Sequence, residues 1–373
     1  MEKEDSNLVV GELGKITLSE IWEIPESIRK TLLAREEAEK IRKVAKAIID
    51  NGCVSIYCLG SGTSYHAGLV STYLFSSLAK YPTHCELAPE FPYLVEPIIA
   101  KKHCCICISQ SGESELTVYA AEKAKEAGAF VVAITNNPES KLAKVAGDYA
   151  LITKAGIEKS VLATKTYVAQ LVILSALAID LAMLKGAISV EIHESLWDEL
   201  KAIPKIIELT LPMIRKEIRK LAPYFKFAKN CFAIGTGPDF ANTMEAALKL
   251  KEGARIFAQA FSTAEFPHGP ITLAESHSAF CLVIVPNKEK ERRYNDVLKL
   301  IQRLKERGVT ILGINSNQEK IEEMDFTISI SQVSEIFQPI ITIIPVQLLV
   351  VEISIIQNIN CDTPKYLSKI SKL

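Results

Sequence analysis

Short apolar runs recur along the chain, each followed by a turn and then by a pattern typical of a helix. The predicted strands begin near residues 54, 84, 104, 130 and 148, and again near residues 231, 259, 279, 309 and 326. The matching spacing of the two series indicates a tandem duplication. Because strands that alternate with helices form parallel sheets with right-handed crossovers, the sequence predicts an α/β fold of two doubly wound parallel-sheet domains.

The segments around these two series complete a division of the chain into five parts. We predict a helical N-terminal segment (1–50), a first domain (51–187), a helical connector (188–225), a second domain (226–360) and a C-terminal tail (361–373). Within the connector, Pro204 and Pro212 are expected to break the helix. Two long apolar segments, 167–183 and 339–356, contain polar residues and fit buried helices better than membrane spans.

Composition and charge narrow the class of protein. The chain has 373 residues, 48% of them hydrophobic and 23% charged, with a net charge of −1. These values are typical of a globular protein and give no electrostatic reason to expect nucleic acid or an anionic membrane as a partner. The charged N-terminus lacks the apolar core of a secretory signal. We therefore expect a cytoplasmic protein.

Nine cysteines, an odd number without a CxxC motif, predict reduced and mostly buried thiols. His103 beside Cys104, Cys105 and Cys107 raises the alternative of a zinc site. Alternation along a strand would send Cys104 and Cys105 to opposite faces, which argues against that alternative.

The loop of residues 107–114 lies where a buried strand gives way to a helix. It carries the hydroxyls of Ser109, Ser111 and Ser114, with Gly112 between them. Backbone N–H groups at a helix N-terminus point toward such a loop, and the helix dipole favours an anion there. The pattern predicts a site for a phosphate monoester. The alternative is that the serines only cap the helix.

Ligands of doubly wound sheets bind at the carboxyl ends of strands, at the switch point of the topology. Ser64 follows the first predicted strand, and Ser109 and Ser111 follow the third. In the second domain, residues 286–288 (Pro-Asn-Lys) stand where the first domain has its serine loop. The sequence therefore predicts a phosphate site in the first domain and not in the second.

A predicted helix of the second domain places Glu245, Lys249 and Glu252 on one face. Such spacing is common in solvent-exposed ion pairs, but the flanking Leu248 and Leu250 also allow the charges to face a cleft. Further along, His268 lies between prolines and beside a glycine, in a loop whose backbone these residues restrict. Its role is either structural or functional.

Six motifs follow one another across nearly the whole chain. They are Gly62-Thr63-Ser64-Tyr65, Ser109-Gln110-Ser111-Gly112-Glu113, Ala163-Thr164-Lys165, the run Glu245–Glu252, His268-Gly269-Pro270 and the segment Asp362–Lys369. With these motifs in this order, the sequence resembles the sugar isomerase (SIS) domain family. Within it, the likeness is to the isomerase half of the glucosamine-6-phosphate synthases and to stand-alone amino-sugar-phosphate deaminases. The resemblance implies two flavodoxin-like SIS domains.

The resemblance also implies roles for individual residues. The implied substrate-binding residues are Thr63, Ser64, Ser109, Gln110, Ser111, Ser114, Val161, Ala163 and Ser368. Ala163 stands where the synthases usually have serine, which removes one polar contact to the sugar. By the same resemblance, Glu252 would move a proton between C1 and C2 with the help of Lys249. His268 would open the sugar ring of the neighbouring subunit in a homodimer, and Lys369 would reach the carbonyl, where an imine can form.

Aldose–ketose isomerisation needs such groups for chemical reasons. A carboxylate moves the proton, a cation stabilises the enediolate, and a group that titrates near neutrality opens the ring. A lysine withdrawn from water can attack a carbonyl. This chemistry needs neither a metal nor a redox cofactor, so we expect none.

The C-terminal tail has two interpretations. Asp362-Thr363-Pro364 predicts a turn, after which Tyr366, Leu367 and Ile370 are expected to anchor the tail in a groove that holds Lys369. Alternatively, the final Ser371-Lys372-Leu373 matches a peroxisomal address. We favour a tail that belongs to the active site.

One departure from the synthases concerns glutamine. Their isomerase half follows a glutaminase domain whose nucleophile is a cysteine next to the initiator methionine, whereas here residue 2 is Glu2 and the first cysteine is Cys53. We therefore expect this chain to release ammonia, use free ammonia or work with a separate glutaminase subunit. The leading hypothesis is an enzyme that interconverts glucosamine 6-phosphate and fructose 6-phosphate, in the deaminating direction. The alternatives are the isomerase subunit of a split synthase and a sugar-phosphate-binding regulator without catalysis.

Overall fold

The predicted apolar runs form the strands of two parallel sheets. A computed structural model of the protein describes residues 12–32, 35–275, 279–317 and 319–369, and within these ranges ten strands pair into two five-stranded sheets. The chain divides into two units. The first-sheet unit comprises Ile24–Ile157 and Lys165–Ile207, and the second-sheet unit comprises Glu158–Thr164, Glu208–Lys369 and the described part of Met1–Glu23. The five domain boundaries inferred from the sequence stay predictions.

The described part of the N-terminal segment, residues 12–32 and 35–50, is mainly helical, as the sequence predicts. It forms helices α1 (Lys15–Trp22), α2 (Ile24–Leu32) and α3 (Arg35–Asp50). Helices α2 and α3 are amphipathic, and Ile24, Ile28, Ile41 and Val44 are buried.

The first sheet has the strand order β2-β1-β3-β4-β5, and every pairing is parallel. Its strands are β1 (Ser55–Gly60), β2 (Thr83–Leu87), β3 (His103–Ile108), β4 (Phe130–Thr135) and β5 (Ala150–Ile152). The accompanying helices are α4 (Thr63–Ser77), α5 (Phe91–Leu94), α6 (Glu115–Glu126), α7 (Lys141–Ala146) and α8 (Lys165–Leu184). Gly60 of β1 pairs with Ile108 of β3, so the carboxyl ends of these two strands are neighbours at the switch point.

The connector is one helix, α9 (Val190–Leu221), which continues through both of its prolines. The predicted breaks at Pro204 and Pro212 are therefore wrong. A proline removes one backbone hydrogen bond, but this helix buries an apolar stripe that includes Leu200, Ile207 and Leu211. Burial along that stripe outweighs the local preference.

The second sheet repeats the topology of the first, with the order β10-β9-β8-β6-β7 and parallel pairing. Its strands are β6 (Asn230–Gly235), β7 (Phe257–Ser262), β8 (Phe280–Val285), β9 (Thr310–Asn315) and β10 (Phe326–Ser329). The accompanying helices are α10 (Pro238–Ala254), α11 (Glu291–Glu306) and α12 (Gln338–Ile356). In both sheets the first strand lies between the second and the third. This shared order confirms the tandem doubly wound fold that the sequence predicts.

Helices α8 and α12 have the length and hydropathy of membrane spans, but 89% of the most apolar window of each is buried inside the fold. They are core helices, in agreement with the interpretation of the two apolar segments. All nine cysteines fall within the described ranges and are unpaired thiols. Cys105 and Cys107 pack into one apolar cluster, and burial raises the pKa of the Cys58 thiol to about 12, which keeps it protonated and unreactive.

Candidate functional site

The serine loop between β3 and α6 is held by hydrogen bonds to its own hydroxyls. The Gly112 N–H donates to Ser109 Oγ at 3.1 Å, and the Glu113 N–H donates to Ser111 Oγ at 3.2 Å. Ser109 is buried and Ser111 is half-buried. Each hydroxyl accepts a bond from the loop, so its own proton is available for an anionic oxygen.

Gly112 is required by the packing of this loop. Its φ is +68°, and a Cβ at this position would lie 2.1 Å from Ser140 Oγ and 2.7 Å from Thr135 Oγ1. Ser140 cannot retreat without a cost, because its Oγ accepts the Ala143 N–H at 3.2 Å and so caps α7. Glycine therefore lets two segments of the first-sheet unit meet under the serines.

The remaining predicted phosphate ligands surround the same strand ends. Ser114 occupies the N-cap position of α6, yet its side chain makes no capping bond there within the described residues. Its Oγ instead accepts the Thr117 hydroxyl at 3.2 Å. Ser114 therefore does not act as the helix cap that the alternative interpretation assumed. Gln110 accepts the Asn136 N–H through its backbone carbonyl at 3.0 Å, and Thr63 begins α4.

Ser64 is the second residue of α4, shortly after the end of β1, and receives a hydrogen bond from α8. Gln170 Nε2 donates to Ser64 Oγ at 3.0 Å, and both residues are buried. Because Ser64 accepts this bond, its own proton can be donated toward the switch point. Gln170 Oε1 is buried and lacks a hydrogen-bond partner among the described residues. Sequence reasoning missed Gln170, because it lies 106 residues from its partner within an apolar helix.

The second sheet has the same backbone feature with a different chemistry. Gly237 at the start of α10 (φ 62°, ψ −140°) adopts nearly the conformation of Gly62 at the start of α4 (φ 53°, ψ −127°). Two residues later the second sheet has Asp239 where the first has Ser64. Thr342 of α12 donates to Asp239 Oδ1 at 2.8 Å, much as Gln170 of α8 donates to Ser64.

Charged groups lie beside Gly237 in the second sheet. Arg293 Nη1 would lie 2.2 Å from a Cβ placed at Gly237, and Arg293 forms an ion pair with Glu335. A Cβ placed at Gly62 would meet no described atom within 4 Å, so the first sheet leaves open the space that Arg293 occupies in the second. This arrangement supports the prediction that the phosphate site belongs to the first domain.

Helix α10 carries a buried charged triad. Lys249 Nζ lies 3.3 Å from Glu245 Oε1 and 2.5 Å from Glu252 Oε2. The side chains of Glu245, Lys249 and Glu252 are 0%, 1% and 18% exposed. The alternative of a solvent-exposed ion-pair face is therefore wrong for this helix. The spacing was visible in the sequence, but what packs on the face was not.

The triad keeps its lysine charged. Burial acts against the ammonium, but the Coulombic attraction of Glu245 and Glu252 and hydrogen bonds to both outweigh it, so the pKa of Lys249 is raised from its ordinary value. A buried cation of this kind stabilises the carboxylates beside it and any negative charge that develops nearby. Glu252 is the more exposed of the two carboxylates, so it can meet a substrate.

The loop Glu158–Thr164 belongs to the second-sheet unit and packs against α10 at Gly253. A Cβ on Gly253 would lie 2.8 Å from Leu162 Cδ2, so glycine at that position lets the loop approach α10 closely. Within this loop Val161 and Ala163 are partly exposed. The structure thus brings both predicted sugar contacts near the helix that bears Glu252.

Lys369 reaches the same loop. Its Nζ lies 2.8 Å from Glu158 Oε2 and donates to the Ser160 carbonyl at 2.6 Å. The predicted catalytic lysine and the predicted sugar loop are therefore in contact. Sequence reasoning missed Glu158, the one carboxylate of this loop, whose lysine partner lies 211 residues away.

The tail is not anchored as the sequence analysis expected. Tyr366 is 95% exposed and Leu367 is also exposed, so the predicted apolar anchors are wrong for these two residues. Ile370 lies outside the described residues. A turn closed by the Leu367 N–H on the Pro364 carbonyl, with Tyr366 at φ +66°, directs the tyrosine outward. Polar contacts hold the tail instead.

The last two predicted site residues are exposed. His268 lies in a 3-10 turn, Phe266–His268, where its N–H donates to the Glu265 carbonyl at 2.9 Å. Ser368 precedes Lys369 on the tail. Neither is buried, so both side chains can be reached by a ligand or another chain.

Comparison with known proteins identifies the fold family. The sequence-family model of the SIS domain matches residues 51–180 and 224–357, which together include both sheets. The chain belongs to the SIS domain family.

Curated relatives of this SIS chain include two glutamine–fructose-6-phosphate aminotransferases. Those of Thermococcus kodakarensis and Gloeobacter violaceus are each 36% identical over 94% of this chain. The chain spans 57% and 58% of their lengths, a little over half. Among solved structures, the C-terminal domain of glucosamine-fructose-6-phosphate aminotransferase from Francisella tularensis superposes with a TM-score of 0.85 at 27% identity, covering 94% of this chain and 98% of that one.

A second solved structure shares only the SIS fold. Glucosamine-6-phosphate deaminase from Thermotoga maritima gives a TM-score of 0.69 at 21% identity, with 95% of this chain and 99% of that chain covered.

No group of three or more His, Cys, Asp and Glu side chains in the described residues could hold a metal ion.

Proposed function

We propose that this SIS chain interconverts fructose 6-phosphate plus ammonia with glucosamine 6-phosphate plus water. The observation that carries the proposal is the buried triad of α10, in which Lys249 holds the more exposed carboxylate of Glu252 at 2.5 Å. Aldose–ketose isomerisation needs such a pair, because a carboxylate moves the proton and a cation stabilises the enediolate. The similarity to isomerizing aminotransferases supports the choice of substrate.

The serine loop takes the phosphate in this proposal. Ser109, Ser111 and Ser64 each accept a hydrogen bond from the protein, which leaves three hydroxyl protons for phosphate oxygens. Thr63, Gln110 and Ser114 complete the set. Hydroxyls and N–H groups suit a phosphate dianion without a metal or a lysine.

The proton transfer between the sugar carbons is assigned to helix α10. Glu252 takes a proton from one of C1 and C2 and returns it to the other, and Lys249 stabilises the charge that develops on oxygen. Val161, Ala163 and Ser368 contact the sugar. Lys369 attacks the ketose carbonyl and forms an imine, with loss of water.

His268 opens the sugar ring, and we assign it to the substrate of the partner subunit in a homodimer. The exposure of the Phe266–His268 turn supports this assignment, because the imidazole is accessible to another chain. Histidine is suited to the step, since its unperturbed pKa lies near neutrality.

The nitrogen enters or leaves as ammonia. The similarity to aminotransferases favours a second form of the proposal, in which a separate glutaminase chain supplies ammonia and the reaction runs toward glucosamine 6-phosphate. The charged triad argues against a pure sugar-phosphate sensor, which needs the serine loop but not Glu252, Lys249, His268 and Lys369 together. We expect the enzyme to work in the cytoplasm, where its nine unpaired cysteines stay reduced.

The test is an assay in both directions with purified protein. Glucosamine 6-phosphate should release ammonia and fructose 6-phosphate, and fructose 6-phosphate with an ammonium salt should give glucosamine 6-phosphate. Glucosamine without phosphate is the matched control and should react far more slowly. Binding of the phosphosugars without turnover in either direction, with and without a glutaminase, would instead identify a sensor.

A further inference from the structure

A buried carboxylate touches the amine that the proposed reaction uses. Glu158 follows β5 in the loop Glu158–Thr164, and its side chain is 0% exposed. One oxygen, Oε1, accepts the Thr164 N–H at 2.8 Å and the Thr164 hydroxyl at 3.3 Å. The other, Oε2, lies 2.8 Å from Lys369 Nζ. The carboxylate therefore fixes its own loop with one oxygen and the lysine with the other.

The loop that carries Glu158 is itself held in place. The carboxylate of Glu20 accepts the Lys159 N–H and, at 3.2 Å, the Ser160 N–H. Ser160 Oγ lies 2.7 Å from the hydroxyl of Thr17, and the Ser160 carbonyl accepts Lys369 Nζ at 2.6 Å. Lys369 is thus bound to two acceptors on a segment that α1 also holds, so Nζ has a defined position.

We propose that Glu158 is a further catalytic residue, which holds Lys369 and carries its proton during imine formation. The inference rests on the proposed function. The Lys369 ammonium passes one proton to Glu158 Oε2, and Nζ then attacks the ketose carbonyl carbon to give a carbinolamine. Glu158 returns the proton to the hydroxyl of the carbinolamine, which leaves as water as the C=N bond forms. Hydrolysis of the imine follows the same steps in reverse.

Glu158 does this work better than bulk water because of its geometry. Glu158 Oε2 lies 2.8 Å from Lys369 Nζ before substrate binds, so a group that can accept and return the proton is already within hydrogen-bond reach. Its second oxygen is occupied by Thr164, so the carboxylate cannot rotate away when Lys369 moves. The sugar phosphate, in contrast, is bound by the serine loop, so loss of Glu158 should affect the chemical step more than binding.

The test variant is Glu158→Gln, which keeps the shape and the acceptor for Thr164 but cannot carry the proton. We expect kcat to fall by about tenfold or more, with KM changed by less than about threefold. The adduct trapped on Lys369 by borohydride in the presence of fructose 6-phosphate should fall in parallel. Glu158→Asp keeps a carboxylate and should recover part of both quantities.

A second measurement needs no turnover. Reductive methylation without substrate, followed by mass spectrometry, compares Lys369 with Lys365, an exposed lysine on the same tail. Lys369 should react more slowly than Lys365 in the wild-type protein and several times faster after Glu158→Gln, while Lys365 stays unchanged. The matched control is Glu352→Gln, which breaks another buried carboxylate pair of the same unit, to Arg215 Nε at 3.2 Å.

The outcomes are distinguishable. Wild-type protein without turnover overturns the proposed function. Active wild-type protein with unchanged kcat and trapping after Glu158→Gln overturns the role of Glu158 alone. A Lys369 that methylates equally in both proteins contradicts the contact itself, and an equal loss of trapping after Glu352→Gln would reduce the effect to general destabilisation.

Discussion

Asp362 accepts hydrogen bonds from the first turn of helix α1 through Thr17, which lies 345 residues earlier in the chain. The N–H of Thr17 donates to Asp362 Oδ1 at 2.7 Å, its hydroxyl donates to the same oxygen at 2.6 Å, and the Ile16 N–H donates to Oδ2 at 3.2 Å. The backbone carbonyl of Asp362 also accepts the Val161 N–H at 2.9 Å. One residue therefore joins helix α1, the sugar loop and the start of the tail.

Replacing Asp362 by Ala should destabilise the protein and impair catalysis together. Asp362 satisfies N–H groups of the first turn of α1 as an N-cap side chain does, so its loss should cost about 0.5–2 kcal/mol of unfolding free energy. Release of the tail should also lower kcat by displacing Lys369. Urea unfolding and steady-state kinetics measure the two effects. Thr363→Ala, which removes a hydroxyl from the exposed part of the same turn, is the control. Full activity of Asp362→Ala would show that the tail does not depend on this contact.

Replacing both Ser109 and Ser111 by Ala should raise KM strongly with little change in kcat. Each lost hydrogen bond to the phosphate should cost roughly 1.5–3 kcal/mol, because the acceptor is charged. Titration with inorganic phosphate gives the same answer without turnover. Ser71→Ala removes a buried hydroxyl of the same unit that bonds to the Gly68 carbonyl, and it should leave KM unchanged. An unaltered KM in the double variant would exclude the loop as the phosphate site.

The pattern of the chain was sufficient for the fold because the strands are determined by local apolar runs. Predicted strand starts at residues 104 and 130 correspond to β3 at His103 and β4 at Phe130. The sequence predictions were wrong where tertiary packing, and not the local pattern, determines the structure. The prolines of α9 do not break a helix whose apolar stripe is buried, and the apolar Tyr366 points to solvent because a turn directs it there.

The site was predictable where its residues are neighbours in sequence. Lys249 and Glu252 lie on one helical face by spacing, and the serines of the loop lie within six residues. Glu158 and Gln170 escaped detection, because each acts on a partner that the fold brings from more than a hundred residues away. Burial decides whether a polar side chain must bond to a specific partner, and the sequence pattern does not show which single positions are buried.

Replacing Glu252 by Gln should remove the proton shuttle while keeping its shape. We expect kcat to fall by about 10²-fold or more, the lower range of general-base contributions, with the thermal midpoint little changed. Exchange of the substrate's C2 proton with deuterated solvent should be lost in parallel. Glu245→Gln, on the other side of Lys249, leaves the base in place and should lower kcat far less. Turnover near the wild-type rate in Glu252→Gln would refute the assignment.

Heterodimers test the assignment of His268 to the partner's substrate. A chain with His268→Ala mixed with a chain with Glu252→Gln should recover part of the activity, because one of the two sites then has both groups intact. Differently tagged chains, purified in tandem, ensure that heterodimers are assayed. If the heterodimer is no more active than either single variant, each site is built from a single chain. A protein that sediments as a monomer would also exclude the composite site.

Asp239 should make the stability of the second sheet depend on pH. Burial is the main cause that raises the pKa of Asp239 to about 7; Glu335 adds to it, while the Thr342 hydroxyl and Arg293 oppose it. The folded protein therefore holds this proton more tightly than the unfolded chain does. Stabilisation from Asp239 is complete below its unfolded pKa, near 3.8, and is lost as the pH rises through about 7.

Asp239→Asn removes this titration and keeps an acceptor for the Thr342 hydroxyl, which lies 2.8 Å away. We compare the unfolding free energies of the variant and the wild-type protein, measured in urea between about pH 4 and pH 8. The value of the variant should increase relative to that of the wild type as the pH rises. The difference should level off above the folded pKa. Asp198→Asn, at an exposed aspartate, should give a curve parallel to the wild type. Parallel curves for Asp239→Asn as well would mean that Asp239 is ionised in the fold at every pH tested.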